Sequence, residues 1–221
     1  MSIVIGSGTG TNGITIGGSL GTSNQIIYSN NGICSWSSIP SGTTVFTVDS
    51  SVSNTTPYTT VDLNLVSSST RSYLVTFSFT CSNPGSFLNL RFGNGSGYQS
   101  TNYEYDTVGF TNSSSNSFIG IRATSQSSIL FPDSANIGCS TMSGAINGYF
   151  LIHTPGISST NSRPLITGKY YLVLNGNTNV HGADILGWVN NTLSVDRLRF
   201  FMSSGNITSH KITSWSIDNT L

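Results

Sequence analysis

Short runs of alternating apolar and polar residues, separated by turns rich in Ser, Asn and Gly, restrict this chain more than any other feature. In the run 72–79 every second residue is large and apolar, namely Tyr73, Val75, Phe77 and Phe79. A period of two predicts a strand with one buried face. No window of a dozen residues shows the 3.6-residue spacing of an amphipathic helix. The sequence therefore predicts an all-β protein.

The alternation predicts eleven strands after residue 40. They are 43–48, 61–66, 72–79, 87–92, 103–108, 127–131, 145–153, 169–174, 185–189, 195–202 and 211–217. In the strand 195–202, Leu198, Phe200 and Met202 should face inward while Arg197 and Arg199 face outward. Closely spaced turns favour an antiparallel two-sheet sandwich of the jelly-roll type, a head domain over residues 41–221. A parallel β-helix would need a sustained repeat, and none is visible after residue 40.

A different pattern occupies residues 1–40, where a Gly-rich unit occurs twice, as Ile3–Thr11 and as Ile14–Thr22. Two such units bury too little apolar surface to offset backbone ordering, which costs about 1–2 kcal/mol per residue. We therefore expect a Gly-rich β attachment segment that obtains apolar cover from neighbouring chains of a homo-oligomer or from a docking partner. The residues expected to make that assembly contact are Ile3, Ile5, Ile14, Ile16, Ile26 and Trp36.

Charge limits the possible partners. Eight basic and eight acidic residues give zero net charge, and charged residues make up only 7% of the chain. The electrostatic field of these few balanced charges is too weak to attract nucleic acid or an anionic membrane surface, and we expect neither as a partner. Ser, Thr, Asn and Gly together account for 113 of the 221 residues. This neutral polar composition suits an extracellular protein or one on the surface of a virion.

Motifs for cofactors and metals are weak. The stretch Gly8–Gly13 fits the GxGxxG pattern of dinucleotide sites, but no helical pattern follows it and the first acidic residue is Asp49. Cys34, Cys81 and Cys139 are widely spaced and form no CxxC pair, which favours buried thiols over a metal site. We expect no cofactor and no metal.

Sugar binding is an activity that the residue pattern leaves open. Tyrosine rings and amide side chains, the groups that hold sugars, cluster in and beside residues 93–105. The candidate glycan-binding residues are Tyr98, Gln99, Asn102, Tyr103 and Tyr105. Glu104 and Asp106 alternate on one strand face, about 7 Å apart by strand rise. That spacing is compatible with glycoside hydrolysis, but paired surface acids on a strand are commoner, and no GxSxG elbow is present. We expect that the protein is not an enzyme.

Three stretches resemble proteins of virus particles. Residues 20–36 resemble the segment that precedes the head domain in fibre and tail proteins of bacteriophages and large DNA viruses. The positions in pattern are Leu20, Gly21, Gln25, Ser29, Gly32 and Trp36. Residues 87–92 followed by 103–105 are similar to a hairpin of phage virion jelly rolls, and residues 195–209 are similar to their C-terminal ending.

The resemblance implies a non-enzymatic component of the virion surface, a trimer that decorates a capsid or caps a fibre and contacts other virion proteins. The sequence departs from the pattern at His210, which stands where a glycine is usual, and at Trp215, which replaces a Tyr-Gly pair. Two other classes stay open. A free-standing carbohydrate-binding module would recognise a host-surface glycan without residues 1–40, and a glycan-degrading enzyme would depend on Glu104.

Overall fold

The computed structural model describes residues 3–8, 11–16, 19–20, 25–30, 33–38, 46–66, 71–83, 86–111, 117–131, 146–153, 163–173 and 180–218. The chain divides into two units, one of residues 1–43 with Leu221 and one of residues 44–220. The described residues form strands, turns and bends, with no helix among them. This confirms the prediction of an all-β protein. Within the same ranges, no helix is long and apolar enough to cross a membrane.

The first unit consists of short antiparallel pairings. Its described strands are β1 (Ile3–Gly8), β2 (Thr11–Ile16), β3 (Ser19–Leu20), β4 (Gln25–Asn30) and β5 (Ile33–Ser38). Strands β1, β2 and β3 form one sheet, and β4 pairs with β5. The two copies of the repeat pair with each other, so that Ile5 lies opposite Ile14. The side chains of the six predicted assembly residues lie outside the described part of the structure, and their role stays a prediction.

The second unit contains two antiparallel sheets. Its described strands are β6 (Phe46–Asn54), β7 (Thr60–Asn64), β8 (Arg71–Cys81), β9 (Leu88–Asn94), β10 (Gly97–Tyr98), β11 (Tyr103–Thr111), β12 (Ser117–Gln126), β13 (Ile129–Phe131), β14 (Ile146–His153), β15 (Leu165–Val173), β16 (Val180–Val189), β17 (Arg197–Met202) and β18 (Ile207–Asp218). The large sheet has the order β12-β11-β16-β15-β14-β8-β18-β6. The small sheet has the order β10-β9-β17-β7, and β13 also pairs with β9.

The two sheets share one aromatic core. Phe77 on β8 of the large sheet lies 5.4 Å from Phe131 and 6.2 Å from Phe200, both on the small sheet, measured between ring centroids. Phe150 on β14 lies 5.9 Å from Phe77. Burying each such ring contributes about 1.5–3 kcal/mol. Because rings of both sheets meet in one cluster, the unit is a β-sandwich.

The faces of the central strands follow the sequence alternation. On β8 the residues Tyr73, Val75, Phe77 and Phe79 are all buried, and on β17 so are Leu198, Phe200 and Met202. These inward faces confirm the predictions for both strands. Cys81, at the end of β8, is buried as expected and donates from Sγ to the carbonyl oxygen of Asn83 over 3.4 Å.

The strand bounds differ from the prediction where hydrogen bonding to a neighbouring strand, and not an alternating apolar pattern, keeps the backbone extended. The sequence prediction has no strand at β12, whose alternation is broken by Gly120 and by polar residues, yet β12 pairs with β11 along its length. The predicted strands 169–174 and 185–189 are longer in the structure. Leu165 pairs with Trp188 on one end of β15 and β16, and Val173 pairs with Val180 on the other.

Candidate functional site

The outward face of the large sheet carries a row of large apolar side chains. Trp215 on β18 lies opposite Val48 on β6 and opposite Leu74 on β8, and Leu74 lies opposite Leu151 on β14. These four residues, called here the apolar row, therefore cross four neighbouring strands in direct register. Val48 is 59% exposed, and the other three are half-buried. Outward faces of antiparallel sandwiches are usually polar.

Beyond Leu151 a polar residue interrupts the apolar row before further apolar residues follow. Thr167 on β15 follows Leu151 in register, and Leu186 on β16 follows Thr167. Leu186 is exposed, and on the next row Leu165 pairs with Trp188. The apolar row itself is unbroken over four strands, and contiguous apolar groups at a surface are less ordinary than isolated apolar residues.

A second group on the same face combines tyrosines with an ion pair. Tyr149 lies opposite Lys169, and Lys169 lies opposite Asp184. Lys169 Nζ donates to Asp184 Oδ1 over 2.8 Å. Tyr171 lies opposite Gly182, and a Cβ built on that glycine would lie 3.2 Å from ring atom Cδ1. We call Tyr149, Lys169, Tyr171, Gly182 and Asp184 the tyrosine platform.

Four of the five platform residues, all except Tyr149, line a shallow depression of about 250 Å³. Its lining includes Val108 and Gly109 of β11 as well as Lys169, Tyr171 and Asp184. The pKa of Lys169 is raised, mainly by its hydrogen bond to Asp184 and by the charge of that carboxylate, with smaller contributions from Tyr149 and Tyr171. Donor, acceptor and aromatic groups therefore converge on one open surface.

The outward face of the small sheet holds a different cluster. Arg199 donates to both carboxylate oxygens of Asp62, over 2.7 Å from Nε and 2.7 Å from Nη2, and its guanidinium lies 3.9 Å from the ring centroid of Tyr98. Partial burial acts to raise the pKa of Asp62, but hydrogen bonds from Arg199 and Tyr98 hold it below its ordinary value. Burial and the Asp62 contact raise the pKa of Tyr98 to about 12. These groups satisfy one another.

The structure does not bring the predicted glycan-binding residues together at the surface. Tyr103 is 0% and Tyr105 5% exposed, because odd-numbered residues of β11 face the core. The Tyr103 hydroxyl accepts from the backbone N–H of Phe92 over 2.7 Å. Neither ring offers a face to an external sugar, and the predicted cluster is wrong for these two tyrosines.

The other members of that cluster hold the local backbone. Gln99 donates from Nε2 to the carbonyl oxygen of Thr101 over 3.0 Å. Asn102 has a φ of 62°, in the left-handed region that asparagine tolerates better than most residues, and donates to Asn191 Oδ1 over 3.3 Å. With the Tyr98 ring under Arg199, the three residues are engaged in contacts within the protein.

The two carboxylates weighed for catalysis lie on one face of β11, as their alternation predicts. Glu104 accepts a hydrogen bond from Asn190 Nδ2 over 2.9 Å. Asp106 lies 3.8 Å from Arg122 Nε on the neighbouring strand β12. Each acid therefore has its own surface partner, the arrangement usual for paired acids on an exposed sheet.

Two histidines are buried in the core. His181 and His210 are both inaccessible, and within the described residues Nδ1 of His181 and both ring nitrogens of His210 have no hydrogen-bond partner. Burial lowers the pKa of each imidazole. Asp184 is close to His181 in sequence, but His181 points inward on β16 while Asp184 points outward. The two side chains therefore cannot bind one metal ion together. In the described ranges, no three His, Cys, Asp or Glu side chains are grouped to hold a metal ion.

Sequence reasoning missed both groups on the large sheet, although one signal was present. Residues 149–152 are Tyr, Phe, Leu and Ile in succession, and an unbroken apolar run predicts a strand with two apolar faces. In the sequence, Trp215 stands out only as a departure from the pattern of virion proteins. No protein-family model, curated protein or solved structure matches this chain. The geometry of the described residues therefore carries the functional argument.

Proposed function

We propose that this chain is a non-enzymatic structural protein of a virus particle, a capsid decoration or a fibre head that lies on the virion surface and assembles as a homotrimer. The observation that carries the proposal is the apolar row of Val48, Leu74, Leu151 and Trp215, which crosses four strands in register. The resemblance of residues 20–36 and 195–209 to virion proteins supports the choice of a virus structural protein over other proteins that assemble through an apolar surface.

The strand connections support a jelly-roll interpretation of the sandwich. The chain passes from β6 in the large sheet to β7 in the small sheet, back to β8 and then to β9, and at its end from β17 to β18. Repeated crossing between two antiparallel sheets is the wrapping that defines such folds. This topology suits a rigid head whose function lies in its surfaces.

Assembly would cover the apolar row with the same row of other copies. Trp215 lies at the centre of the row, between Val48 and Leu74, and buried tryptophan is among the residues that contribute most to interfaces. We propose that residues 1–40 add attachment contacts to other virion proteins. Arg199 pairs with Asp62 and Lys169 with Asp184, and the net charge of the chain is zero, consistent with partners other than nucleic acid or membrane.

Light scattering of the full chain tests the apolar row. The wild type should have the mass of a trimer, and Trp215→Arg should have the mass of a monomer while keeping its β-sheet circular dichroism. Ser53→Arg, an exposed position on β6 outside the row, is the matched control and should stay trimeric. Should Trp215→Arg unfold, the more exposed Val48→Arg takes its place. A monomeric wild type, or folded row variants of unchanged mass, would reject the assembly role.

The attachment role of residues 1–40 has its own test. Deleting the two repeats, residues 3–22, should reduce oligomer formation and association with purified particles. If the deletion changes neither oligomer formation nor particle association, residues 1–40 have no attachment role and the apolar row remains as the assembly element. The competing class, a free-standing carbohydrate-binding module, predicts a monomer that keeps its ligand affinity after the deletion.

A further inference from the structure

We propose that the tyrosine platform is a binding site for a neutral hexopyranose unit of a glycan. The site goes beyond assembly, because the platform lies on β14, β15 and β16 and shares only β14 with the apolar row, whose other strands are β6, β18 and β8. Trp215 and Asp184 are separated by four strand spacings in the sheet order, which is about 19 Å at about 4.8 Å per strand. A bound sugar and the centre of the apolar row would thus occupy different parts of the face.

The aromatic part of the site is exposed and supported from below. Tyr149 is 40% and Tyr171 49% exposed. One side of the Tyr171 ring lies over Gly182, where a side chain would press against the ring. The glycine therefore lets the ring lie low on the sheet while its other side stays open. Pyranose rings present patches of C–H groups that pack on such aromatic surfaces, which combine an apolar body with a polar hydroxyl.

The polar part of the site matches the hydroxyl groups of a sugar. Lys169 is a donor only and Asp184 an acceptor only, and the two groups are held 2.8 Å apart by their own ion pair. Neighbouring sugar hydroxyls donate and accept side by side, so one pair of hydroxyls can meet both groups. The pair has no net charge, which favours a neutral sugar over an anionic one.

The shape of the site also fits a saccharide. The depression of about 250 Å³ is open and shallow, and Val108 lines it together with every platform residue except Tyr149, which lies beside it on β14. An open site of this kind accommodates one or two units of a longer chain, whereas a drug-like ligand needs a deeper cleft that buries most of its surface. Affinity for a single unit is expected to be millimolar, and presentation on a trimer would raise it through avidity.

Saturation-transfer NMR on the full chain tests the site, with methyl glycosides of galactose, glucose, mannose and N-acetylglucosamine as probes at millimolar concentration. At least one probe should receive saturation from the wild type. Tyr171→Ala should weaken its binding about tenfold or more, equivalent to about 1.4 kcal/mol. Asp184→Ala, at an exposed side chain, is the second variant should Tyr171→Ala fail to fold. Tyr58→Ala removes a tyrosine of similar exposure elsewhere and should bind as the wild type does.

The outcomes separate this site from the assembly role. The monomeric Trp215→Arg should still receive saturation, and Tyr171→Ala should still form the trimer. Saturation transfer to none of the four sugars, or equal transfer in wild type, Tyr171→Ala and Asp184→Ala, would overturn the site. Binding that is lost in Tyr98→Ala but kept in Tyr171→Ala would overturn it as well and place sugar recognition on the small sheet.

Discussion

Truncating Phe77 to alanine removes one of the rings through which the two sheets of the second unit meet. The ring is buried and contacts Phe131 and Phe200 of the small sheet and Phe150 of its own sheet. A buried phenylalanine removes about 150 Å² of surface from water. At about 25 cal/mol per Å², the loss is about 4 kcal/mol, in line with the usual cost of about 3–5 kcal/mol for Phe→Ala in a core.

Urea unfolding of the full chain, followed by tryptophan fluorescence, measures this loss directly. A loss of about 4 kcal/mol should also lower the melting temperature by about 8–16 °C in a domain of this size. Val108→Ala is the control, because Val108 is 47% exposed, and it should change the free energy of unfolding by less than about 0.5 kcal/mol. If Phe77→Ala costs less than about 1 kcal/mol, the shared aromatic core is not what holds the sheets together.

Two further predictions concern glycine contacts and acid stability. Gly168→Ala should lower the free energy of unfolding by about 1–3 kcal/mol, because its Cβ would overlap the Tyr149 carbonyl oxygen. Gly120→Ala is the control, since a Cβ there meets open space, and its melting temperature should equal that of the wild type. Equal melting temperatures for the two variants would contradict the close packing of β14 and β15. Burial lowers the folded-state pKa of His181 and His210 below the ordinary 6.5. As the pH falls, these histidines therefore bind protons in the unfolded chain before they do so in the folded one. Their contribution to stability should be complete above pH 6.5 and should be lost progressively below it. His210→Leu should reduce the drop in melting temperature between about pH 7.5 and pH 5.5, and an undiminished drop would assign the acid sensitivity to other groups.

The inward faces of the sandwich are predictable because burial acts on every second residue. Tyr73, Phe77 and Phe200 lie in the core as their alternation indicates. Pairing partners were not predictable in the same way. β12 has little apolar pattern of its own, and it exists because the backbone of β11 offers hydrogen bonds along its whole length.

The functional surfaces were harder to predict, because each one combines residues from distant parts of the chain. Tyr103 and Tyr105 are close to Tyr98 in sequence, but strand alternation turns both of them into the core. Tyr171 and Asp184, in contrast, are brought together only by the register of β15 and β16. Composition indicated residue types that suit sugar binding, but it could not indicate which tyrosines reach the surface.

The pairing of the first and last strands of the second unit has a mechanical consequence. Phe46, which begins β6, lies opposite Ile217 near the end of β18, and β6 is an edge strand. A force pulling these two ends apart would therefore peel β6 away from β18 one hydrogen-bonded pair at a time. Neighbouring ends also allow them to be joined and the chain reopened at a distant turn, and such a circular permutant should regain the same sheets.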